Sequence, residues 1–164
     1  MSITLARVDD RLIHGQTTTR WSRERNVDGI IIIGDDVIND EVRKKVLKAA
    51  ARDFKLGVYS ENQGVEKIKC AKDSQKDFFV ITSSPQIFDR LVQKGADFGG
   101  VLNIGCMNTK ENSIVCGRTL ALTDKDYEAF NSLDKNGIKL EFQLLPDNEV
   151  KHWDEIKKKF DSMK

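Results

Sequence analysis

The fold of this chain is decided by the stretch Gly29-Ile30-Ile31-Ile32-Ile33-Gly34-Asp35-Asp36, in which four successive isoleucines stop at a glycine and two acids. A strand with one face in solvent alternates apolar and polar residues, whereas a strand covered on both faces is apolar throughout. This stretch therefore predicts a buried strand in a sheet that carries helices on both faces.

Similar short apolar runs recur along the chain, and longer charged, amphipathic segments separate them. The further runs are residues 3–8, 56–59, 78–82, 98–104, 114–121 and 139–145. Because alternating strands and helices imply right-handed crossovers, we expect an α/β fold with a doubly wound, mainly parallel sheet of about six to seven strands. No linker or internal repeat is visible, and the length suits one domain over residues 1–164.

Helical spacing of apolar residues predicts several of the crossovers. A helix follows the capping sequence Asn39-Asp40-Glu41, and its inward residues are expected to be Val42, Val46, Leu47, Ala50 and Ala51. Further helices are expected to begin at Ser84-Pro85 and at Thr123 or Asp124. A last helix is expected over residues 148–160, with a fraying tail.

The composition argues against several classes of protein. Lys and Arg number 27 against 26 Asp and Glu, so no net field draws the chain to nucleic acid or to an anionic membrane. The longest aliphatic run, residues 30–33, is far too short to span a bilayer, and residues 1–7 lack an apolar signal core. Cys70, Cys106 and Cys116 lack CxxC spacing. We therefore expect reduced thiols, no metal ion, no cofactor and a cytoplasmic location.

The functional crevice of a doubly wound sheet lies beyond the carboxyl ends of its strands. That rule selects the loops at residues 9–16, 34–36, 82–85 and 103–109. The first loop, Asp9-Asp10-Arg11-Leu12-Ile13-His14-Gly15-Gln16, carries two carboxylates, an arginine and one of only two histidines, and Arg7 lies just before it. Residues 16–21 predict a first helical turn, whose free N–H groups favour an anion.

The chemistry of this loop suits phosphoryl transfer. A neutral imidazole, well populated near pH 7, is a nucleophile, and an aspartate that accepts from one ring nitrogen leaves the other free to attack phosphorus. Arg7 and Arg11 can add charge-assisted donors to the phosphoryl group. The residue pattern alone also fits a surface histidine surrounded by ordinary ion pairs, and that alternative stays open.

Three other functions compete with phosphoryl transfer through a histidine. A two-component receiver domain needs an aspartate after the third strand, where this chain has Val58-Tyr59-Ser60-Glu61, and it has no use for His14. A nucleotide-binding domain needs a glycine-rich G-x-G-x-x-G or P-loop motif, and neither occurs. A non-catalytic interaction module is harder to dismiss, because docking to other proteins would need many of the same surface features.

A longer match narrows these alternatives. The segment Ala6-Arg7-Val8-Asp9-Asp10-Arg11-Leu12-Ile13-His14-Gly15-Gln16, followed by Thr19-Arg20-Trp21, resembles the active-site signature of the enzyme IIB component of the mannose/fructose/sorbose family of the sugar phosphotransferase system (PTS). Asp35-Asp36, Asn39-Asp40-Glu41-Val42-Arg43-Lys44 and residues 115–145 are also similar to that family. The loop Val101-Leu102-Asn103-Ile104-Gly105-Cys106-Met107 resembles its Asn-Val-Gly-Gly-Met loop.

The resemblance implies a carrier that works between two protein partners. It would accept a phosphoryl group from the phosphohistidine of a IIA domain or protein and pass it to a sugar moved by the membrane IIC and IID components. It would be cytoplasmic and transiently associated with the inner face of the membrane. Sugar specificity is expected to reside in the membrane subunits. The sequence also allows a homodimer, in which two copies pair through an apolar face on an outer helix.

The resemblance also assigns roles to single residues. His14 is expected to be phosphorylated through Nδ1, and Asp9, rather than Asp10, is expected to orient its ring. Arg11 is the first choice for the phosphoryl contact and Arg7 the second.

Five further residues, Asp10 among them, are expected to support the phosphoryl group or its loop. Gly15 and Gln16 follow His14 directly. Ser83 and Ser84 lie in a loop that resembles a family Thr-Asn-Pro segment, and they are either donors or only a helix cap. Cys106 stands where the family has a second glycine. We expect a tolerated small residue there, unless the position requires a positive φ.

Overall fold

The computed structural model describes residues 3–164. Within this range the strands are β1 (Ile3–Val8), β2 (Gly29–Ile33), β3 (Lys55–Tyr59), β4 (Phe78–Thr82), β5 (Val101–Ile104), β6 (Ile114–Gly117), β7 (Leu120–Leu122), β8 (Lys139–Phe142) and β9 (Lys151–His152). The helices are α1 (Gly15–Glu24), α2 (Asp35–Ile38), α3 (Glu41–Ala51), α4 (Glu61–Asp73), α5 (Pro85–Gln93), α6 (Asp124–Lys135) and α7 (Trp153–Met163).

Seven of these strands form one sheet, in the order β3-β2-β4-β1-β5-β8-β9. The pairs from β3 to β8 are parallel, and only β9 runs antiparallel to its neighbour. This arrangement confirms the predicted α/β class and the mainly parallel sheet of six to seven strands. It also places β1 at the centre, where Arg7 pairs with Asn103 of β5 and Val8 pairs with Thr82 of β4.

The isoleucine strand β2 contributes to two separate cores. Ile31 and Ile33 belong to a large cluster with residues of α4, α5, α6 and α7, whereas Ile30 and Ile32 belong to a second cluster with residues of α1, α2 and α3. Successive strand side chains point to opposite faces, so the two clusters lie on the two sides of the sheet. Helices therefore cover both faces, as the uninterrupted apolar run predicted.

The crossovers leave the central strands in different directions. The chain after β1 passes to the face covered by α1, whereas the chains after β4 and β5 pass to the face covered by α5 and α6. The loops that follow these neighbouring strands consequently diverge at the carboxyl edge. This is the switch point at which doubly wound sheets form their crevice.

Three predicted strands differ from the observed ones. The run at residues 114–121 is two strands, β6 and β7, because the chain turns at residues 118–119. The two strands form an antiparallel hairpin that lies outside the main sheet. The fifth strand begins only at Val101, since Gly99 and Gly100 have positive φ angles of 105° and 82°. The eighth strand ends at Phe142, before the residues predicted up to position 145.

The predicted inward face of α3 was too wide. Leu47 and Ala51 are buried, whereas Val42 and Val46 are 73% and 61% exposed. At 3.6 residues per turn, Val42 and Val46 lie on a different side of the helix from Leu47 and Ala51, and only one side can contact the sheet.

Two helical segments also depart from the prediction. The last helix begins at Trp153 rather than near residue 148, because residues 151–152 join the sheet as β9. Helix α4 was not predicted, although Ser60 and Gln63 form a capping box at its start. No helix among residues 3–164 combines the length and apolar character needed to cross a membrane.

Candidate active site

The first loop joins the end of β1 to the start of α1 through a tight turn. The backbone N–H of Leu12 donates to the carbonyl of Asp9 at 2.9 Å, and His14 occupies the N-cap position of α1. Leu12 has a φ of 60°, an uncommon conformation for a branched residue. Its side chain and that of Ile13 are buried in the core beneath α1. Their burial anchors the turn and fixes the backbone from which His14 projects.

Asp9 is the carboxylate that faces the imidazole. Its side chain is fully buried, and Oδ2 lies 3.4 Å from Nε2 of His14, which is 22% exposed. Oδ1 accepts from the backbone N–H of Arg11 at 3.0 Å. Nδ1 of His14 makes no hydrogen bond to any residue between 3 and 164. If Nε2 carries the proton toward Asp9, Nδ1 bears the lone pair, as a nucleophile requires.

Arg7 is buried beside Asp9, and its two terminal nitrogens each donate two hydrogen bonds. Nη2 donates to Oδ2 of Asp9 at 3.1 Å and to the carbonyl of Leu144 at 3.0 Å. Nη1 donates to Oδ1 of Asn103 and to the carbonyl of Gln143. Burial lowers the pKa of Arg7, and the Asp9 carboxylate opposes that shift. Arg7 was the second choice for a direct contact with the phosphoryl group. Such a contact would require breaking these bonds, so the geometry favours Arg7 as a support for Asp9.

Arg11 differs from Arg7 in its surroundings. It is exposed, and its guanidinium makes no hydrogen bond or ion pair within the part of the chain that the structure describes. Its backbone N–H donates a hydrogen bond to Asp9. The guanidinium, three residues before His14, is therefore available to an incoming anion.

Asp10 holds two loops together rather than contacting the ring. Its carboxylate accepts from the backbone N–H of Asn108 at 2.6 Å and from the Asn108 side-chain amide at 3.3 Å. Its own N–H donates to the carbonyl of Cys106 at 3.0 Å. Asp10 thus joins the first loop to the loop after β5, and Asp9 alone of the two acids meets His14.

Cys106 fits its loop without a glycine-like conformation. It is not among the described residues with positive φ, and its side chain is 7% exposed. Burial, followed by the charges of Asp10 and Asp9, raises the pKa of the Cys106 thiol to about 11. The thiol is accordingly protonated and poorly reactive near neutral pH.

The same loops bring together three groups of a kind that can bind a metal ion. Ligand atoms of Asp9, Asp10 and Cys106 lie within 4.8 Å of one another. Both carboxylates already accept hydrogen bonds from protein donors, and the third group is a neutral thiol. Metal ligands must be deprotonated and free to coordinate, so this donor set does not favour a cation.

Gly105, rather than the position of Cys106, is the residue whose missing side chain matters. A Cβ atom at Gly105 would lie 1.9 Å from Nη2 and 2.3 Å from Cζ of Arg7. The Arg7 guanidinium therefore rests directly against the Gly105 backbone. The family resemblance drew attention to Cys106, at the second position of the family's Gly-Gly pair, whereas the steric requirement lies at Gly105, the first position.

The remaining predicted residues lie around this centre. Gly15, with a φ of 32°, is the first residue of α1, and the exposed Gln16 follows it. The hydroxyls of Ser83 and Ser84 make no hydrogen bond with any residue from 3 to 164, and Ser84 occupies the N-cap of α5 without a side-chain cap bond. The loop after β4 instead meets the first loop through its backbone, where the carbonyl of Thr82 accepts from the N–H of Asp9 at 3.0 Å.

Three anchors of Arg7 were not assigned from the sequence. Asn103 is an amide within an otherwise apolar strand, and that polar interruption was an available signal. Gln143 and Leu144 contribute backbone carbonyls, which any residue types would supply. Their contribution depends on where the chain runs after β8 and has no sequence signature.

The fold and the site together define a class of protein: a doubly wound α/β protein whose switch point carries a histidine that faces a buried carboxylate. The family described as "PTS system sorbose subfamily IIB component" matches residues 3–164. The chain belongs to this family.

Individual relatives agree with the family match. The chain is 38% identical over 146 residues to the sorbose-specific EIIB component of Klebsiella pneumoniae, with 88% of each chain covered. It is 36% identical over 163 residues to the mannose-specific EIIAB component of Escherichia coli K12, which covers 96% of this chain and 49% of that protein. The crystal structure of the IIBSor domain of the K. pneumoniae sorbose permease matches with a TM-score of 0.89 and 36% identity, covering 96% of this chain and 98% of that one.

These findings establish the general activity. The chain is a PTS IIB component, a sugar phosphotransferase that carries a phosphoryl group in sugar uptake. PTS IIB components work with a IIA component and with membrane IIC and IID components.

Proposed function

We propose that His14 is the residue that carries the phosphoryl group, bonded through Nδ1. The observation that carries this proposal is the pairing of Nε2 with the buried carboxylate of Asp9, which leaves Nδ1 without a partner in the described chain. Asp9 fixes the tautomer and ring orientation, and it stabilises the positive charge that the ring acquires as the nitrogen–phosphorus bond forms.

The transfer follows from these positions. Nδ1 of His14 attacks the phosphorus of the IIA phosphohistidine, the donor's nitrogen–phosphorus bond breaks, and the proton on Nε2 stays directed at Asp9. In the second transfer a hydroxyl of the sugar attacks the same phosphorus and gives up its proton to solvent, the Nδ1–phosphorus bond breaks, and His14 leaves as neutral imidazole. Arg11 neutralises charge on the transferring oxygens, and the start of α1 at Gly15 and Gln16 adds its partial positive charge.

The surrounding residues support this geometry. Arg7 holds the Asp9 carboxylate, and Asp10 fixes the first loop against the loop after β5. Ser83 and Ser84 provide hydroxyl donors at the neighbouring strand end, next to the backbone bond between Thr82 and Asp9. The partial exposure of His14 suits a reaction in which two other proteins must reach the same nitrogen in turn.

The cellular setting is also part of the proposal. The chain would act in the cytoplasm as one domain over residues 1–164, of which Met1 and Ser2 lie outside the described residues. It would meet the inner face of the membrane only while bound to the IIC and IID components. The sugar is not assigned, because the chain is similar to relatives that are named for different sugars, namely sorbose, mannose and fructose.

Helix α3 offers a structural candidate for self-association. If two copies pair, the exposed Val42 and Val46 of α3 supply an apolar patch for the contact. Sedimentation equilibrium of the wild type and of Val46→Glu tests this, since a dimer formed there would dissociate in the variant.

The carrier assignment is tested by intact-mass measurement after incubation with phosphorylated IIA and the general phosphocarrier protein. The wild type is expected to gain one phosphoryl group, His14→Ala none, and the matched control His152→Ala a full group. Asp9→Asn is expected to accept phosphate roughly 10- to 100-fold more slowly, the loss that follows removal of the carboxylate partner of a metal-bound imidazole. Phosphate retained by His14→Ala would show that another residue is the carrier.

A further inference from the structure

We propose that an arginine groove beside His14 docks an acidic surface of the IIA phosphoryl donor. The arginine groove is a cavity of about 320 Å³ along the outer side of α1 and the end of α3. Its lining residues are Gly15, Gln16, Thr19, Arg20, Arg23 and Arg52. The inference rests on the proposed role of His14 and adds a surface for one of its two partners.

The charges in this groove are incompletely neutralised. Arg20 forms an ion pair of 2.8 Å with Asp147, but Arg23 and Arg52 make no hydrogen bond or ion pair with any residue between 3 and 164. The neighbouring acids Glu24 and Asp53 do not line the groove. Two guanidinium groups that share one cavity repel each other, and carboxylates from a partner would remove that repulsion. Guanidinium groups also bind carboxylates in a bidentate geometry, which favours an acidic protein surface.

Arg52 occupies its position at a conformational cost. It follows the last residue of α3 with a φ of 54° and a ψ of −114°, a backbone region in which glycine is favoured. Glycine is the common residue after a helix because it adopts positive φ without a Cβ clash. A residue that keeps an unfavourable backbone conformation while its charged side chain lines a groove is better explained by a role in binding than by a contribution to stability.

The position of the groove fits a protein that engages His14. The groove begins at Gly15, which is adjacent to His14, and Arg23 lies eight residues further along α1, or about 12 Å at the rise of an α-helix. A typical protein interface covers about 800 Å² per partner and is thus roughly 30 Å across. A partner that places its own histidine against His14 can reach the whole groove.

The charge of the phosphoryl donor makes it a better occupant of the arginine groove than the other partners. Phosphorylated IIA approaches with a negatively charged phosphoryl group, whereas the sugar acceptor is neutral, so a positive field beside His14 accelerates the first encounter more than the second. Three arginines are also fewer than the four to eight basic residues typical of a membrane-binding cluster. We therefore assign the groove to the IIA protein and treat the membrane partners as outcomes of the test.

The test is the rate of phosphoryl transfer from phosphorylated IIA, followed by rapid quench at low and at high salt. Arg23→Gln/Arg52→Gln is expected to lower the second-order rate constant about tenfold at low salt, and the difference should vanish at high salt. The matched control Lys45→Gln/Lys48→Gln removes two positive charges from exposed positions of α3 outside the groove, and it should transfer like the wild type. With phosphoramidate, a small donor that needs no docking surface, all three proteins should react equally fast.

A second variant separates docking from folding. Arg52→Gly relieves the backbone conformation, so it should raise the urea midpoint of unfolding while slowing transfer from IIA. An unchanged rate from IIA in both groove variants would overturn the docking surface and leave the carrier role of His14 intact. Slower transfer to sugar in the membrane complex, or lost binding to anionic vesicles, with an unchanged IIA rate would also overturn it. Phosphate gain by His14→Ala would instead remove the proposed function on which it rests.

Discussion

At the scale of single residues, the site depends on a guanidinium that is almost completely buried. Arg7 is 3% exposed and joins Asp9 to Asn103 and to two carbonyls after β8. Because four acceptors define its position, the far end of this side chain cannot move as an exposed arginine would. The absence of a side chain at Gly105 is what leaves room for it.

We expect Gly105→Ala to damage both stability and phosphoryl transfer. The new methyl group would overlap Nη2 of Arg7 at 1.9 Å, so either the guanidinium or the loop after β5 must shift. Overpacking of this kind costs about 1–3 kcal/mol in unfolding free energy. Displacement of Arg7 from Asp9 should slow transfer from IIA roughly 10- to 100-fold, as loss of a supporting partner does at other sites. Urea unfolding and rapid quench measure the two effects.

Gly137→Ala is the matched control for this substitution. Gly137 has a φ of 83°, and a Cβ there would meet nothing within 4 Å. Its replacement should cost about 1 kcal/mol from backbone conformation alone and leave the transfer rate unchanged. If both alanine variants transfer at the wild-type rate, Arg7 does not position Asp9 for the reaction.

The sequence revealed the centre of the site more readily than its supports. Asp9, Arg11 and His14 lie within one loop, so local pattern and family resemblance were enough to single them out. The support of Asp9 by Arg7 depends on β5 and on the chain after β8 lying beside β1, which is a tertiary relation. Gly105 carries no local signal that distinguishes it from other loop glycines, because the atom that it would hit belongs to a residue far away in sequence.

At the scale of elements, α3 shows the limit of reading helical faces from sequence. Its apolar residues cover about half of the helix circumference, but only the side with Leu47 and Ala51 packs against the sheet. Capping boxes and apolar periodicity identify where a helix exists, as Asp40 does here through its bond to the N–H of Arg43 at 3.0 Å. They do not identify which side of a broad apolar face is buried.

Alanine substitutions along α3 measure this orientation. Leu47→Ala should lower the free energy of unfolding by about 2–5 kcal/mol, because it removes a buried side chain and leaves a cavity. Val46→Ala should change it by no more than about 0.5 kcal/mol, since Val46 is 61% exposed. Urea unfolding of the two variants provides the comparison. A larger loss of unfolding free energy for Val46→Ala than for Leu47→Ala would show that the opposite side of α3 is buried.

At the scale of the whole molecule, local sequence patterns did not predict the order of the strands in the sheet. Apolar runs identified most strands and the α/β class, but nothing within β1 shows that it lies between β4 and β5. That arrangement is what brings the first loop, the end of β4 and the loop after β5 to one place. It also places the Cys106 thiol beside Asp9 and Asp10, so the ionisation of one side chain is coupled to the folding of the entire domain.

We expect this coupling to appear as a loss of stability in alkali. Burial and the two carboxylates raise the pKa of Cys106 from 9.0 to about 11. Below pH 9 the folded and unfolded states both keep the thiol proton, so this group adds no pH dependence. Between pH 9 and 11 the unfolded chain releases that proton while the folded chain retains it. The free energy of unfolding must then fall as pH rises, by roughly 1–3 kcal/mol after allowance for partial solvent screening.

Urea unfolding of the wild type and of Cys106→Ser from pH 8 to 11 isolates this effect from other groups that titrate in alkali. The difference in unfolding free energy between the two proteins should shift in favour of Cys106→Ser as pH rises through that window. Cys70→Ser is the matched control, because Cys70 is exposed, and its curve should follow that of the wild type. Parallel curves for the wild type and Cys106→Ser would mean that the two loops open in alkali and hydrate the thiol before the domain unfolds. The loop junction at Asp10 and Asn108 would then be less stable than the sheet beneath it, and the geometry around His14 would be lost before the fold.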